Sequence, residues 1–254
     1  MGGALFAGWA ARGLEPSALV DPQPAAGVAR KQDSVVPSLD DLPGGFAPAA
    51  AILAVKPQMA DTVLPGLGRA LPPGAVLLSI MAGRRIDGLM AATGGAAPVV
   101  RAMPNTPAAI GQGITVACAG PGVTAAQRAL CDTLLAAVGD VVWVDDEALI
   151  DPVTAVSGSG PAYVFLLAEL LEQAGVAEGL PLALARQLAR RTVSGAGALL
   201  DASAEDAADL RRAVTSPRGT TEAALEVLME QAAWPAAVRR AVHAAAVRAG
   251  ELAK

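Results

Sequence analysis

Among the segments able to do chemistry, "VTSPRGTTEAAL" (214–225) is the sharpest. Ser216 can cap a helix, Pro217 presets its first turn, and Gly219 admits a ligand close to the backbone. The amides of Gly219, Thr220 and Thr221 then point out of the helix start, where the macrodipole favours an anion. The threonine hydroxyls add donors of adjustable direction, so the segment suits a carboxylate. "VSGSGPAYVF" (156–165) repeats the idea, with four small residues before Pro161 at a helix start. They make room for a ligand or for a closely packed neighbouring helix. Three apolar runs end in the remaining candidates. "LAVKP" (53–57) carries Lys56 and the turn-forcing Pro57. "SIMAG" (79–83) offers small residues. "RAMPNTPAAIGQG" (101–113) holds an Asn-Thr pair rigidly between prolines, with Arg101 at the strand end. Ligands of doubly wound sheets lie beyond the carboxyl ends of the strands, where these segments fall.

The usual carriers of catalysis are scarce. The one histidine, His243, sits mid-helix among alanines and arginines and reads as a surface or interface residue. Cys118 and Cys131 read as packing residues of a reducing compartment, and without a Cys/His cluster no metal site is expected. A net charge of −5 argues against a nucleic-acid partner, which needs a basic stripe. No uninterrupted apolar run reaches membrane-spanning length, and the start lacks the basic leading region of a signal peptide. The expectation is a cytoplasmic protein with no membrane partner.

The elements that must position these residues follow two grammars. Up to about residue 148, strands are expected at 17–21, 50–57, 75–81, 98–103, 114–120 and 140–145, with helices at 59–71, 86–93 and 124–139 between them. The second to fourth strands are nearly continuous apolar runs, as in a mostly parallel sheet buried on both faces. This predicts a doubly wound α/β domain over 1–148. From 149 to 254 the strand signals stop, and helices are expected at 161–175, 181–201, 203–214, 220–231 and 235–253. The first is apolar nearly all round, which places it in a core or a subunit interface.

"LAVKPQ", "RAMPNTPAAIGQG", "VSGSGPAY" and "VTSPRGTTEAAL", in this order, resemble the pyrroline-5-carboxylate reductase family over essentially the whole chain. The resemblance implies reduction of 1-pyrroline-5-carboxylate to L-proline by NAD(P)H, the last step of proline biosynthesis. It implies a Rossmann-like domain followed by an all-α dimerisation domain, in homodimers often assembled into decamers. Ser216, Gly219, Thr220 and Thr221 match substrate-holding positions, with Thr221 the catalytic candidate through a hydrogen bond to the ring nitrogen. Glu147 aligns with an acidic position near the substrate. Val55, Lys56, Pro57, Ala82, Gly83 and Asn105 match the dinucleotide side. Such a reaction needs no strong general base, because the cyclic imine protonates readily in water and proximity supplies most of the rate.

Three departures from the family pattern stand out. Arg218 replaces the first glycine of the usual Ser-Pro-Gly-Gly-Thr-Thr; at the second helical position it is expected to face solvent. Asp21 ends an early strand, where a carboxylate bonds a ribose hydroxyl and repels a 2′-phosphate, whereas the family more often prefers NADPH. The choice of NADPH or NADH is therefore open. Met1 and Gly2 match only the last two residues of the family's Gly-x-Gly-x-Met-Gly fingerprint. The first strand and two leading glycines are expected to be missing, and roughly ten more residues to precede the start. An inactive truncated remnant and a related imine reductase are thus the alternatives. A hydroxyacid dehydrogenase is disfavoured, because 161–175 lacks the lysine such enzymes place on their inter-domain helix.

Overall fold

The computed structural model describes residues 1–24, 27 and 29–253, so Lys254, the end of the expected second domain, lies outside the described residues. Two compact units emerge, Met1–Gly158 with Ala245–Lys254, and Ser159–Ala244. The first unit therefore runs ten residues past the boundary read from the sequence and includes the chain's last turns.

Unit one is a sheet coated by helices on both faces. Helix α1 (Gly2–Ala11) precedes a two-stranded parallel sheet of β1 (Ala18–Val20) and β2 (Ser34–Val36). Then come β3 (Ala50–Leu53), α2 (Ala60–Ala70), β4 (Val76–Ser79), α3 (Ile86–Ala92), β5 (Val99–Met103), β6 (Gly113–Ala119), α4 (Ala125–Leu135) and β7 (Gly139–Val144). The last five strands form one sheet in chain order. Among the described residues β1 pairs only with β2, and β3 only with β4.

Alternation along the strands sorts the core into two layers. Leu77, Val99, Met103, Val116 and Cys118 face α2 and α3. Val76, Leu78, Val100, Ala102 and Ala117 face α1 and α4. Trp9 of α1 is anchored there by its ring N–H, which donates to the Leu134 carbonyl at 2.6 Å. α4 starts with a full capping box, Thr124 with Gln127.

The sheet is mostly parallel, as expected, with one reversal, and one strand was not foreseen. β3, β4 and β5 are parallel, but β6 runs antiparallel to β5. The link from 104 to 112 is too short for a crossover helix, so the chain must return alongside itself. β2 was not expected at all, since three residues among polar neighbours show no periodicity.

Unit two is all-α. The Met1–Gly158 segment of unit one ends in α5 (Ile150–Val153) and a π-turn at Thr154–Gly158, and unit two begins with α6 (Gly160–Ala177). Then follow α7 (Leu182–Ala202), α8 (Ala207–Ala213), α9 (Thr220–Leu228) and α10 (Trp234–Leu252), the last shared with unit one. Pro161 stands in the first turn of α6, as expected, and the π-turn just before it holds Ser157 and Gly158 of "VSGSG" in helical rather than loop conformation. Pro181 and Asp206 stand at the N-cap positions of α7 and α8, without a side-chain cap bond.

No residue of α6 is buried within one chain; Phe165 is 67% exposed. Of the two readings of this all-round apolar helix, core or interface, a core within the chain is excluded. The helical stretch Glu147–Ala177 is also long and apolar enough to cross a membrane, by length and composition. The sequence showed no such run because Glu169 and Glu172 interrupt it.

Candidate active site

The substrate motif folds as a turn followed by a helix. Ser216 to Gly219 close on themselves, the Gly219 amide donating to the Ser216 carbonyl at 3.0 Å. Gly219 is the N-cap of α9, with Thr220, Thr221 and Glu222 as its first turn and no side-chain cap. The first amides of a helix lack internal acceptors, so those of Thr220 and Thr221 face outwards beside their own hydroxyls. The helix starts three residues later than the Ser216 cap read from the sequence. Arg218 is thus not helical; it is the one non-glycine residue at positive φ (59°) among the described residues. A turn demanding a left-handed residue explains why the family's usual residue there is glycine. The Arg218 amide donates to Glu222 Oε2 at 2.6 Å, which ties the turn to the helix.

In unit one, the dinucleotide candidates gather along one edge of the sheet. Val55, Lys56 and Pro57 follow β3, with Lys56 exposed as N-cap of a short 3-10 turn. Ala82 and Gly83 follow β4. Gly83 has φ +74°, and a Cβ there would stand 2.8 Å from the Leu252 carbonyl, so only glycine fits. Asn105 follows β5 and is buried; its Oδ1 accepts the Ile114 amide at 3.0 Å and pins the turn into β6. Met1 caps α1, and Gly2 packs so tightly that a Cβ would lie 2.9 Å from that of Ala54. The helix start is therefore held against the carboxyl end of β3, the arrangement that accepts phosphates. Asp21 stands apart from these, at the carboxyl end of β1.

Glu147 lies in unit one and is already engaged. Its Oε1 accepts from Arg101 Nη1 and from the Ile86 amide, both at 2.9 Å. Arg101 reaches Asp151 at 3.5 Å, and Asp151 faces Arg85 at 3.8 Å. Arg101 is in the middle of β5 rather than at its end, only 2% exposed, and its Nε has no partner. Sequence reasoning missed this network, although an arginine inside an apolar strand run was a signal for it.

Both thiols are buried, which disfavours the thiolate. Burial pushes Cys131 up to about 12, and burial, helped by Glu147, raises Cys118 as well. A cleft of about 360 Å³ beside Ile86, Met90 and Cys118 has Asp87, Asp145 and Glu147 in its walls and no cation. It repels the anions that the sheet edge and α9 suit.

Residues 147–252 match a family model described as pyrroline-5-carboxylate reductase dimerisation. Over 203 residues the chain is 46% identical to pyrroline-5-carboxylate reductase of Pseudomonas aeruginosa, covering 80% of this chain and 74% of the relative. The structure is similar to that of a pyrroline-5-carboxylate reductase from Coxiella burnetii, with TM-score 0.89 and 32% identity over 99% of this chain and 94% of that one. It also matches the Plasmodium falciparum pyrroline carboxylate reductase, solved with NADP bound, with TM-score 0.86 and 28% identity over 100% and 95% of the two chains.

Proposed function

The chain belongs to the pyrroline-5-carboxylate reductase family, and from that premise we propose that it reduces 1-pyrroline-5-carboxylate to L-proline, the last step of proline biosynthesis. The observation that carries the reading at residue level is the open start of α9, with outward amides and two adjacent hydroxyls but no side-chain cap. In this reading the Thr220 and Thr221 amides bind the substrate carboxylate, Ser216 and Gly219 shape the turn beneath it, and the Thr221 hydroxyl bonds the ring nitrogen. The helix dipole adds to the grip on the carboxylate and leaves the C=N carbon, already electrophilic once the nitrogen is protonated, to be positioned.

NADPH or NADH supplies the hydride when bound. The packing at the sheet edge fits such a group. The start of α1, packed through Gly2 against Ala54, brings its free backbone amides to the carboxyl end of β3, where a pyrophosphate is favoured. Met1, Gly2, Val55, Lys56, Pro57, Ala82, Gly83 and Asn105 are proposed to line it, with Asp21 at the ribose. Glu147 enters as a positioning residue, fixing the first amide of α3 three residues after Gly83. Self-association follows from the dimerisation family; a homodimer, assembled further into decamers, is proposed on the apolar side chains exposed on α6, α7 and α10. A cytoplasmic location is proposed from two cysteines that both remain free thiols.

The test is loss of NADH or NADPH absorbance with purified protein and pyrroline-5-carboxylate. Thr221→Val should lower kcat/KM on the order of a hundredfold, and Thr221→Ser should restore most of it. Oxidation of neither dinucleotide by the unmodified protein would sink the proposal.

A further inference from the structure

We propose that the dinucleotide site selects against a 2′-phosphate, so that NADH binds more tightly than NADPH, and that Asp21 is the residue that selects. This inference rests on the reductase reading above and concerns only its ribose end.

The Asp21 amide donates to the Val36 carbonyl at 3.0 Å, which keeps the residue in line with β1, one position past its carboxyl end. Its Oδ1 accepts the Gln23 amide at 2.8 Å, so the carboxylate is held at the strand end while the residue stays exposed. A carboxylate so placed accepts ribose hydroxyls and repels a phosphate.

A site that accepts the 2′-phosphate needs a cation there instead. Between Asp21 and β2 the sequence has only two, Arg30 and Lys31. The parallel register, Ala18 opposite Ser34, puts the residues before β2 beside those before β1. Both cations therefore lie at the amino end of the strands, about 10 Å of strand away from Asp21. Arg30 is also fully committed. Its Nε and Nη2 donate to Asp33 at 2.9 and 2.7 Å, and its Nη1 to the Leu14 carbonyl at 2.6 Å. Nη2 donates further to the Glu15 carbonyl at 3.1 Å, and the guanidinium lies 5.6 Å from the Phe6 ring centre. The Asp33 carboxylate is wholly buried and accepts the Ser17 and Arg30 amides as well. Releasing Arg30 to a ligand would strand that buried charge, so the ion pair stays closed.

The experiment is calorimetric titration of the intact protein with NADH and with NADPH, at low and high salt, repeated on Asp21→Asn and Asp21→Ser. NADH should bind on the order of tenfold more tightly in the unmodified protein, since like charges are opposed. Both variants should bring the two affinities within about threefold, mainly by tightening NADPH, because the repulsion is gone. High salt should narrow the ratio in the unmodified protein and leave it unchanged in Asp21→Asn. NADPH binding as tightly as NADH to the unmodified protein would overturn the selectivity and leave the reductase reading intact. A ratio that survives both substitutions would overturn the assignment to Asp21. Binding of neither dinucleotide would overturn the reductase reading, and this inference with it.

Discussion

Taking the Arg101 guanidinium out of water is tolerable only because Glu147 and Asp151 meet it, and even so its Nε has no partner. Replacing it with methionine would fill the volume of the stem but leave two mostly buried carboxylates facing each other. Arg101→Met should therefore destabilise the protein by roughly 3 kcal/mol in a urea titration, and Arg101→Lys by less. An unchanged midpoint for the methionine variant would show that the network contributes nothing. The charged residue in "PVVRAM" was visible in the sequence, but its partners lie 46 and 50 residues away, and no local pattern reports that. The same limit applied at Arg218. The Ser-Pro-x-Gly-Thr-Thr order announced a turn and a helix start, yet the helix begins at Thr220, and only the backbone shows that position 218 is left-handed.

At the scale of elements, long apolar runs were legible and short polar ones were not. β4 and β5, buried along their whole length, were read within a residue or two. β2 is stabilised by a side-chain clasp rather than by a hydrophobic face, so periodicity could not reveal it. That clasp has a pH signature. The Arg30 guanidinium holds the Asp33 carboxyl down at about 2, against 3.8 for the free group. A depressed carboxyl stabilises the fold above its unfolded value and loses that contribution as pH falls through the folded one. The β1–β2 crossover should thus hold firm above pH 4 and loosen between about pH 4 and 2, before the five-stranded sheet does. Hydrogen exchange of the Asp21 and Ser34 amides, which donate to the Val36 and Ser17 carbonyls across the pair, would measure it over that range. Asp33→Asn should bring the same loosening at neutral pH, and equal protection in both proteins would refute the clasp.

At the scale of the whole molecule, the two grammars of the sequence did correspond to two kinds of construction. Unit one buries large side chains on both faces of its sheet. Unit two buries almost nothing: from Ser159 to Ala244 only Ala185 and Ala189 are sequestered. Two alanine methyl groups cannot offset the ordering entropy of a helical unit of this size. Its remaining apolar surface includes Val164, Phe165, Leu166, Leu170 and Leu171, all exposed in one chain. The family's dimerisation model matches this region, and in the proposed assembly a second copy covers them. The core of this unit is then intermolecular, so its stability must depend on concentration. Tm should rise by about 2–4 °C for each tenfold increase in protein concentration. Phe165→Asp with Leu170→Asp should shift the mass measured by light scattering from dimer or larger to monomer, and lower helical circular dichroism as unit two melts. The sheet of unit one, with its own core, should keep its thermal transition in that variant. A monomeric unmodified protein with a concentration-independent Tm would mean that unit two is held together by something other than its own copy.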